Sequence, residues 1–190
     1  MRALLIALVF LIAAPSAFAQ TRYTLDPAHT QVGFTAERFG FNRVLGRFDM
    51  VSGAVVLDEA RPENSSVTAE IAIASISTGN ETRNGHLTGD RWLNAARFPA
   101  MTFRSTAVRI TGERRAQVTG DLTLMGVTAP VTLDVTLNRT GADPATQRNA
   151  AGFSATGTLS RSAFGLLTAP QLIGDEIQIQ IEALGFEDAR

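Results

Sequence analysis

The 190-residue chain contains no cysteine and no lysine, one tryptophan, one tyrosine and only two histidines. Without cysteine there is no disulfide, no thiol nucleophile and no thiolate metal site. A domain made from this chain must therefore be held by its apolar core. His29 and His86 are far apart, and neither is joined to a serine in a nucleophile elbow. No HExxH spacing, P-loop or glycine-rich dinucleotide fingerprint occurs. These absences argue against an enzyme, and no catalytic residue, metal ligand or cofactor is assigned. The formal net charge is −1, both signs are interspersed, and every basic residue is an arginine. That balance argues against nucleic acid as the main partner.

Long hydrophobic runs are equally scarce. The longest, ALLIALVFLIAA over 3–14, follows Met1-Arg2 and ends at Pro15-Ser16 and the small-x-small triplet Ala17-Phe18-Ala19. Twelve apolar residues are too few to span a bilayer, and the pattern is that of a secretory signal peptide over 1–19. Cleavage after Ala19 is expected to leave a single domain over 20–190, of 190 − 19 = 171 residues. That length suffices for a sizeable core.

What the chain has in abundance is alternation. In GDLTLMGVTAPVTLDVTL (120–137), Leu122, Leu124, Val131, Leu133, Val135 and Leu137 share one parity, and Asp121, Thr123, Thr132, Asp134 and Thr136 share the other. Side chains alternate across a strand, so this stretch has one apolar and one wet face. Strand-like runs are expected at 23–25, 31–38, 44–57, 67–76, 100–110, 116–124, 131–139, 152–159 and 176–184. Turn residues such as Asp26-Pro27, Arg61-Pro62, Met125-Gly126 and Asp143-Pro144 separate them. Alternation is lost around Gly46-Arg47-Phe48, which predicts a bulge or bend there. Arg83, His86, Leu87 and Asp90 fall on one face of a short helix, and a second helical turn is expected near 162–167. Short connections favour antiparallel pairing. About eight such strands suit a sandwich or, given their long and even runs, a closed barrel without exposed edges. An eight-stranded barrel either fills itself or holds one small ligand, and periodicity does not choose between the two.

Several blocks, in order, resemble the YceI-like, polyisoprenoid-binding family. They are DPAHTQVGF (26–34), FGFNRVLGRF (39–48), SISTGNETRNGHL (75–87), FPAMTFRS (98–105), GDLTLMGVTAPVTL (120–133), GFSATGTLSRSAFG (152–165) and IGDEIQIQIE (173–182). The resemblance implies a periplasmic protein: an all-β, single eight-stranded antiparallel lipocalin-like barrel with one or two short helices. It further implies a hollow interior that binds an isoprenoid or quinone-like lipid without chemical change.

Candidate lining residues are Phe34, Ile71, Ile73, Phe103, Leu122, Leu133, Val135, Phe153, Ile177 and Ile179, with ordinary core packing as the competing reading for each. Arg38, Arg83 and His86 are candidates for a polar mouth; the bland alternative is that Arg83 and His86 orient the short helix. Phe39, Phe41 and Phe48 are expected to pack beneath a loop rather than gate the mouth. A filled barrel that binds a protein partner is the alternative function. Its mark would be an exposed apolar patch. A cryptic enzyme would show a histidine facing the cavity beside a carboxylate. Pairing into a homodimer through an exposed strand such as 152–159 is permitted by the sequence and not required by it.

Overall fold

A computed structural model describes residues 20–189; the expected signal segment lies outside the described residues. The strands are β1 (Thr21–Leu25), β2 (Gln31–Arg38), β3 (Asn42–Phe48), β4 (Val51–Leu57), β5 (Ser66–Ala72), β6 (Ile76–Ser77), β7 (Ala100–Gly112), β8 (Arg115–Leu124), β9 (Val127–Ala142), β10 (Asn149–Ser160) and β11 (Ile173–Glu187). One helix, α1 (Glu81–Thr88), follows β6, and a 3-10 turn at Arg161–Phe164 follows β10.

All pairings are antiparallel, and β11 closes the sheet by meeting both β1 (Tyr23↔Glu187) and β2 (Phe34↔Ile179). Thus β1 and β2 are two pieces of one interrupted strand. The same holds for β3 and β4, which face β2 and β1, and for β5 and β6, which face β4 and β3. Counted this way the closed barrel has eight strands. The interruptions fall at 26–30, at Asp49-Met50 and at a 3-10 turn over Ile73–Ser75. The bend expected at Gly46-Arg47-Phe48 is not there. All three residues remain paired with β2, and the break comes at Asp49-Met50.

The alternation has the meaning the sequence suggested. Leu122, Leu124, Val131 and Leu133 are buried inside the barrel. Outside, threonines pair across β8 and β9, Thr119 with Thr132 at 2.9 Å and Thr123 with Thr128 at 2.8 Å, and Gln117 donates to Asp134 at 2.9 Å. The strand 152–159 lies within β10, paired on one side with β9 and on the other with β11, so it offers no free edge to a second copy.

The ends of the barrel differ. One, the turn end, carries the β4–β5, β7–β8 and β9–β10 connections. The other, the capped end, carries the β2–β3 and β8–β9 hairpins, α1 with the segment after it, and residues 161–172. The β8–β9 hairpin turns through the two residues Met125-Gly126 (φ 54°, 77°) and the β2–β3 hairpin through the three residues Phe39–Phe41, of which Phe39 and Gly40 have positive φ (54°, 70°). This twist matches that of the flanking strands. Asn80 caps α1 by accepting from the Arg83 amide at 2.9 Å. The main core cluster gathers toward this end, where Leu93 and Phe164 from the capping segments pack with Phe48, Ile71, Ile76, Met101 and Leu124.

Candidate functional site

A cavity of about 780 Å³ runs through the barrel, with wall residues from Leu57, Ile110 and Leu137 near the turn end to Ala36, Val44 and Ile173 near the capped end. Its middle is almost wholly apolar. Part of the reason it is hollow lies in glycines and alanines on the inward parity. A Cβ at Gly46 would lie 2.3 Å from the Phe34 ring, and one at Gly120 would lie 2.3 Å from the Phe103 ring. These glycines let both phenylalanines lie against the wall instead of crossing the lumen. Ala36, Ala69, Ala116, Ala155 and Ala183 also line the cavity. A wall this rich in small residues does not fill an eight-stranded barrel. The same glycines and alanines stand on the inward parity in the sequence.

Phe34, Ile71, Phe103, Leu122, Leu133, Val135, Phe153, Ile177 and Ile179 all line the cavity. Ile73 does not, which corrects its place among the candidate lining residues. The strand ends at Ala72, and the 3-10 turn carries Ile73 into the core, where it is 0% exposed. Phe48 packs as expected, its ring centroid 5.6 Å from that of Phe34. Phe39 and Phe41 do not pack beneath a loop; both lie in the β2–β3 turn and are exposed, Phe41 almost fully.

Arg38, Arg83 and His86 all line the cavity, Arg38 from the end of β2 and the other two from α1, elements of the capped end. The Arg38 guanidinium lies 4.3 Å from the Phe39 ring centroid. Arg83 donates from Nε to Thr78 Oγ1 at 2.9 Å and from Nη2 to the Thr78 carbonyl at 2.7 Å, so it ties α1 to the strand before it. Arg161, which the sequence reading passed over, is the more deeply built arginine. It is 3% exposed and donates to the carbonyls of Leu166, Thr168, Ile173 and Gly174 at 2.7–3.0 Å. Among the described residues it makes no ion pair within 4 Å, so carbonyl dipoles hold most of its charge while it fastens residues 161–174 over the end. At the turn end the wall is polar, with Glu59, Ser65, Glu113, Arg114, Arg115 and Thr140.

Among the described residues the histidine that meets a carboxylate is His29, whose Nδ1 lies 2.5 Å from Asp26 Oδ2. This bond holds the Asp26 carboxyl below its ordinary value, and a further bond from the Ala28 amide adds to it. His29 is exposed and does not line the cavity, so the pair belongs to the turn before β2. No group of three or more His, Asp or Glu side chains converges among the described residues. What this wall can do is bury an apolar chain, with hydrogen-bonding groups available at the ends.

Fold and cavity together define a hollow, lipocalin-like β-barrel. The chain matches the YceI-like domain over residues 23–184 and belongs to that family. It is 38% identical over 146 residues to a UPF0312 protein of Pseudomonas savastanoi pv. phaseolicola, covering 76% of each chain. Among solved structures, Burkholderia cenocepacia BcnA is similar with a TM-score of 0.76 at 28% identity, covering 84% of this chain and 98% of that one. A polyisoprenoid binding domain from Saccharophagus degradans, implicated in plant cell wall breakdown, gives a TM-score of 0.64 at 17% identity over 87% of this chain and 98% of that one. At that identity the likeness concerns the fold.

Proposed function

We propose that the protein binds a long-chain isoprenoid or similar amphiphilic lipid in the barrel cavity, without altering it covalently, and sequesters or carries it in the periplasm. The observation that supports this most is the continuous apolar wall around about 780 Å³, a volume within the usual range for small-molecule sites. Burying about twenty methylene-sized groups contributes a gross ~16 kcal/mol. Ordering the chain and losing its free motion offset much of that. A micromolar or tighter complex therefore needs no charged clamp. Phe34, Phe103, Leu133, Val135, Phe153, Ile177 and Ile179 would contact the chain, with Arg38 and His86 near its head. The similarity to a polyisoprenoid binding domain agrees with this reading. A filled barrel acting only through a protein partner fits less well, because the lumen is not filled.

The test is native mass spectrometry with organic extraction of the protein purified from its own cell envelope. A bound species of prenyl-chain mass is expected. A ligand-free protein that also refuses a fluorescent prenyl probe would sink the proposal. The same mass measurement shows whether Met1 to Ala19 has been removed.

A further inference from the structure

The capped end carries apolar side chains that the core does not use. Phe41 is 89% exposed, Leu45 70% and Leu167 61%, and Phe39 and Leu172 are also exposed. Phe39, Phe41 and Leu172 lie side by side, since the Phe39 amide donates to the Leu172 carbonyl at 2.8 Å and the hairpin holds Phe41 beside them. Leu167 belongs to the same capping segment as Leu172, and Leu45 to β3 of the same hairpin; we call these five the arc. Phe39 sits at φ 54°, a region that bulky side chains avoid. Met125 occupies the same position in the other hairpin and packs against the core, whereas Phe39 gains no such burial.

Arginines accompany the arc. Arg38 and Arg43 flank the hairpin, and Arg91 adjoins residue 168 through a hydrogen bond from the Thr168 hydroxyl to the Arg91 carbonyl. None of the three has a carboxylate within 4 Å among the described residues. Glu37 and Asp90 are the acids nearest in sequence, so the arc leans basic. Directly behind it, Ala36, Val44 and Ile173 line the cavity. The apolar wall therefore lies directly behind the arc, and Glu37, Arg38, Arg83 and His86 line the cavity at the same end. At the turn end the corresponding rim is polar, and Ile110 is its lone exposed large apolar side chain among the described residues.

We propose that this arc docks on a phospholipid bilayer: Phe39, Phe41, Leu45, Leu167 and Leu172 enter the interface, and Arg38, Arg43 and Arg91 meet the phosphates. Aromatic and apolar side chains beside arginine are what an interfacial anchor requires. The capped end is then the door through which a lipid passes between bilayer and cavity, an assignment that rests on the cavity's proposed role.

The test is flotation with unilamellar vesicles of phosphatidylethanolamine and phosphatidylglycerol. It uses the secreted protein, checked by mass for loss of Met1 to Ala19, whose apolar run would insert by itself. The wild type is expected to float. Phe41→Ser should weaken vesicle partition roughly tenfold, and Phe41→Ser with Leu45→Ser further, while Ile110→Ser leaves it unchanged. All three positions are exposed, and circular dichroism verifies folding. Wild-type protein that stays with the dense fraction, or a Phe41→Ser variant that floats like wild type, overturns the proposal. A concentration-dependent dimer that Phe41→Ser dissolves, without flotation, overturns it in favour of a second copy. Uptake of a prenyl probe added as monomer separates the two proposals. If it persists in Phe41→Ser as partition falls, docking is supported. If wild type floats yet takes up no probe, docking stands and the cavity reading falls.

Discussion

The two ends of one barrel are finished by different means. At the capped end, inserted segments cover the strands, and a buried guanidinium bound to four carbonyls fastens residues 161–174. At the turn end the connections are polar and, among the described residues, no inserted segment covers the strands. Asp58, 1% exposed, accepts from the Arg61 amide at 2.8 Å and donates its own amide to Ser65 Oγ at 3.0 Å, which organises the longest of these loops, 58–65. The difference shows where an eight-stranded barrel places its specificity. The sheet supplies a uniform wall, and what enters is decided by the groups fitted at each rim.

If that contrast is right, the capped end is the costlier to break. Arg161→Met leaves four carbonyls without their donor and is expected to destabilise by about 3–5 kcal/mol in urea unfolding. A loss near 1 kcal/mol would mean that packing of Phe164 and Leu93 closes the end unaided. Gly46→Ala sets a methyl against the Phe34 ring and should cost about 1–3 kcal/mol as the ring swings into the lumen. Lumen volume in a crystal structure of the variant checks that. Asp58→Ala at the turn end removes one acceptor and is expected to cost about 1–2 kcal/mol, less than Arg161→Met. The reverse order would invert the comparison.

The smallest effect is common to both ends. Amide and hydroxyl donation from Thr146 holds the Asp143 carboxyl below its ordinary value of 3.8, and the Ser160 hydroxyl with the Ser162 amide does so for Asp175. A carboxyl depressed in the folded state contributes stability above its unfolded value and loses it as pH falls through the folded one. Melting temperature should therefore begin to fall below about pH 4, by little because both groups are exposed, and Asp143→Asn or Asp175→Asn should each flatten the slope.

Legibility followed periodicity. The row from Leu122 to Leu137 disclosed the wall because alternation is a property of each strand taken alone. The strand break at 26–30 is legible in Asp26-Pro27, whereas those at 49–50 and 73–75 carry no such signal, since they arise where the closed sheet must turn, and this is why alternation alone puts Ile73 on the wall. Phe39 and Phe41 differ from expectation for a related reason: hydrophobicity suggests burial, but both fall in the β2–β3 turn, where neither is covered. Arg161 was hidden because its partners are backbone carbonyls, which no sequence pattern names. Whether the barrel is hollow depended on the inward glycines and alanines, legible only once parity was fixed.

The central claim is that the lumen takes up an apolar chain. Titration of a fluorescent prenyl probe against the wild type and Val135→Trp tests it most directly, since that substitution fills the middle of the wall. Saturation at one probe per chain is expected, with affinity reduced by roughly tenfold or more in Val135→Trp as the indole occupies the lumen. No uptake by the wild type, or equal uptake by both, would contradict it.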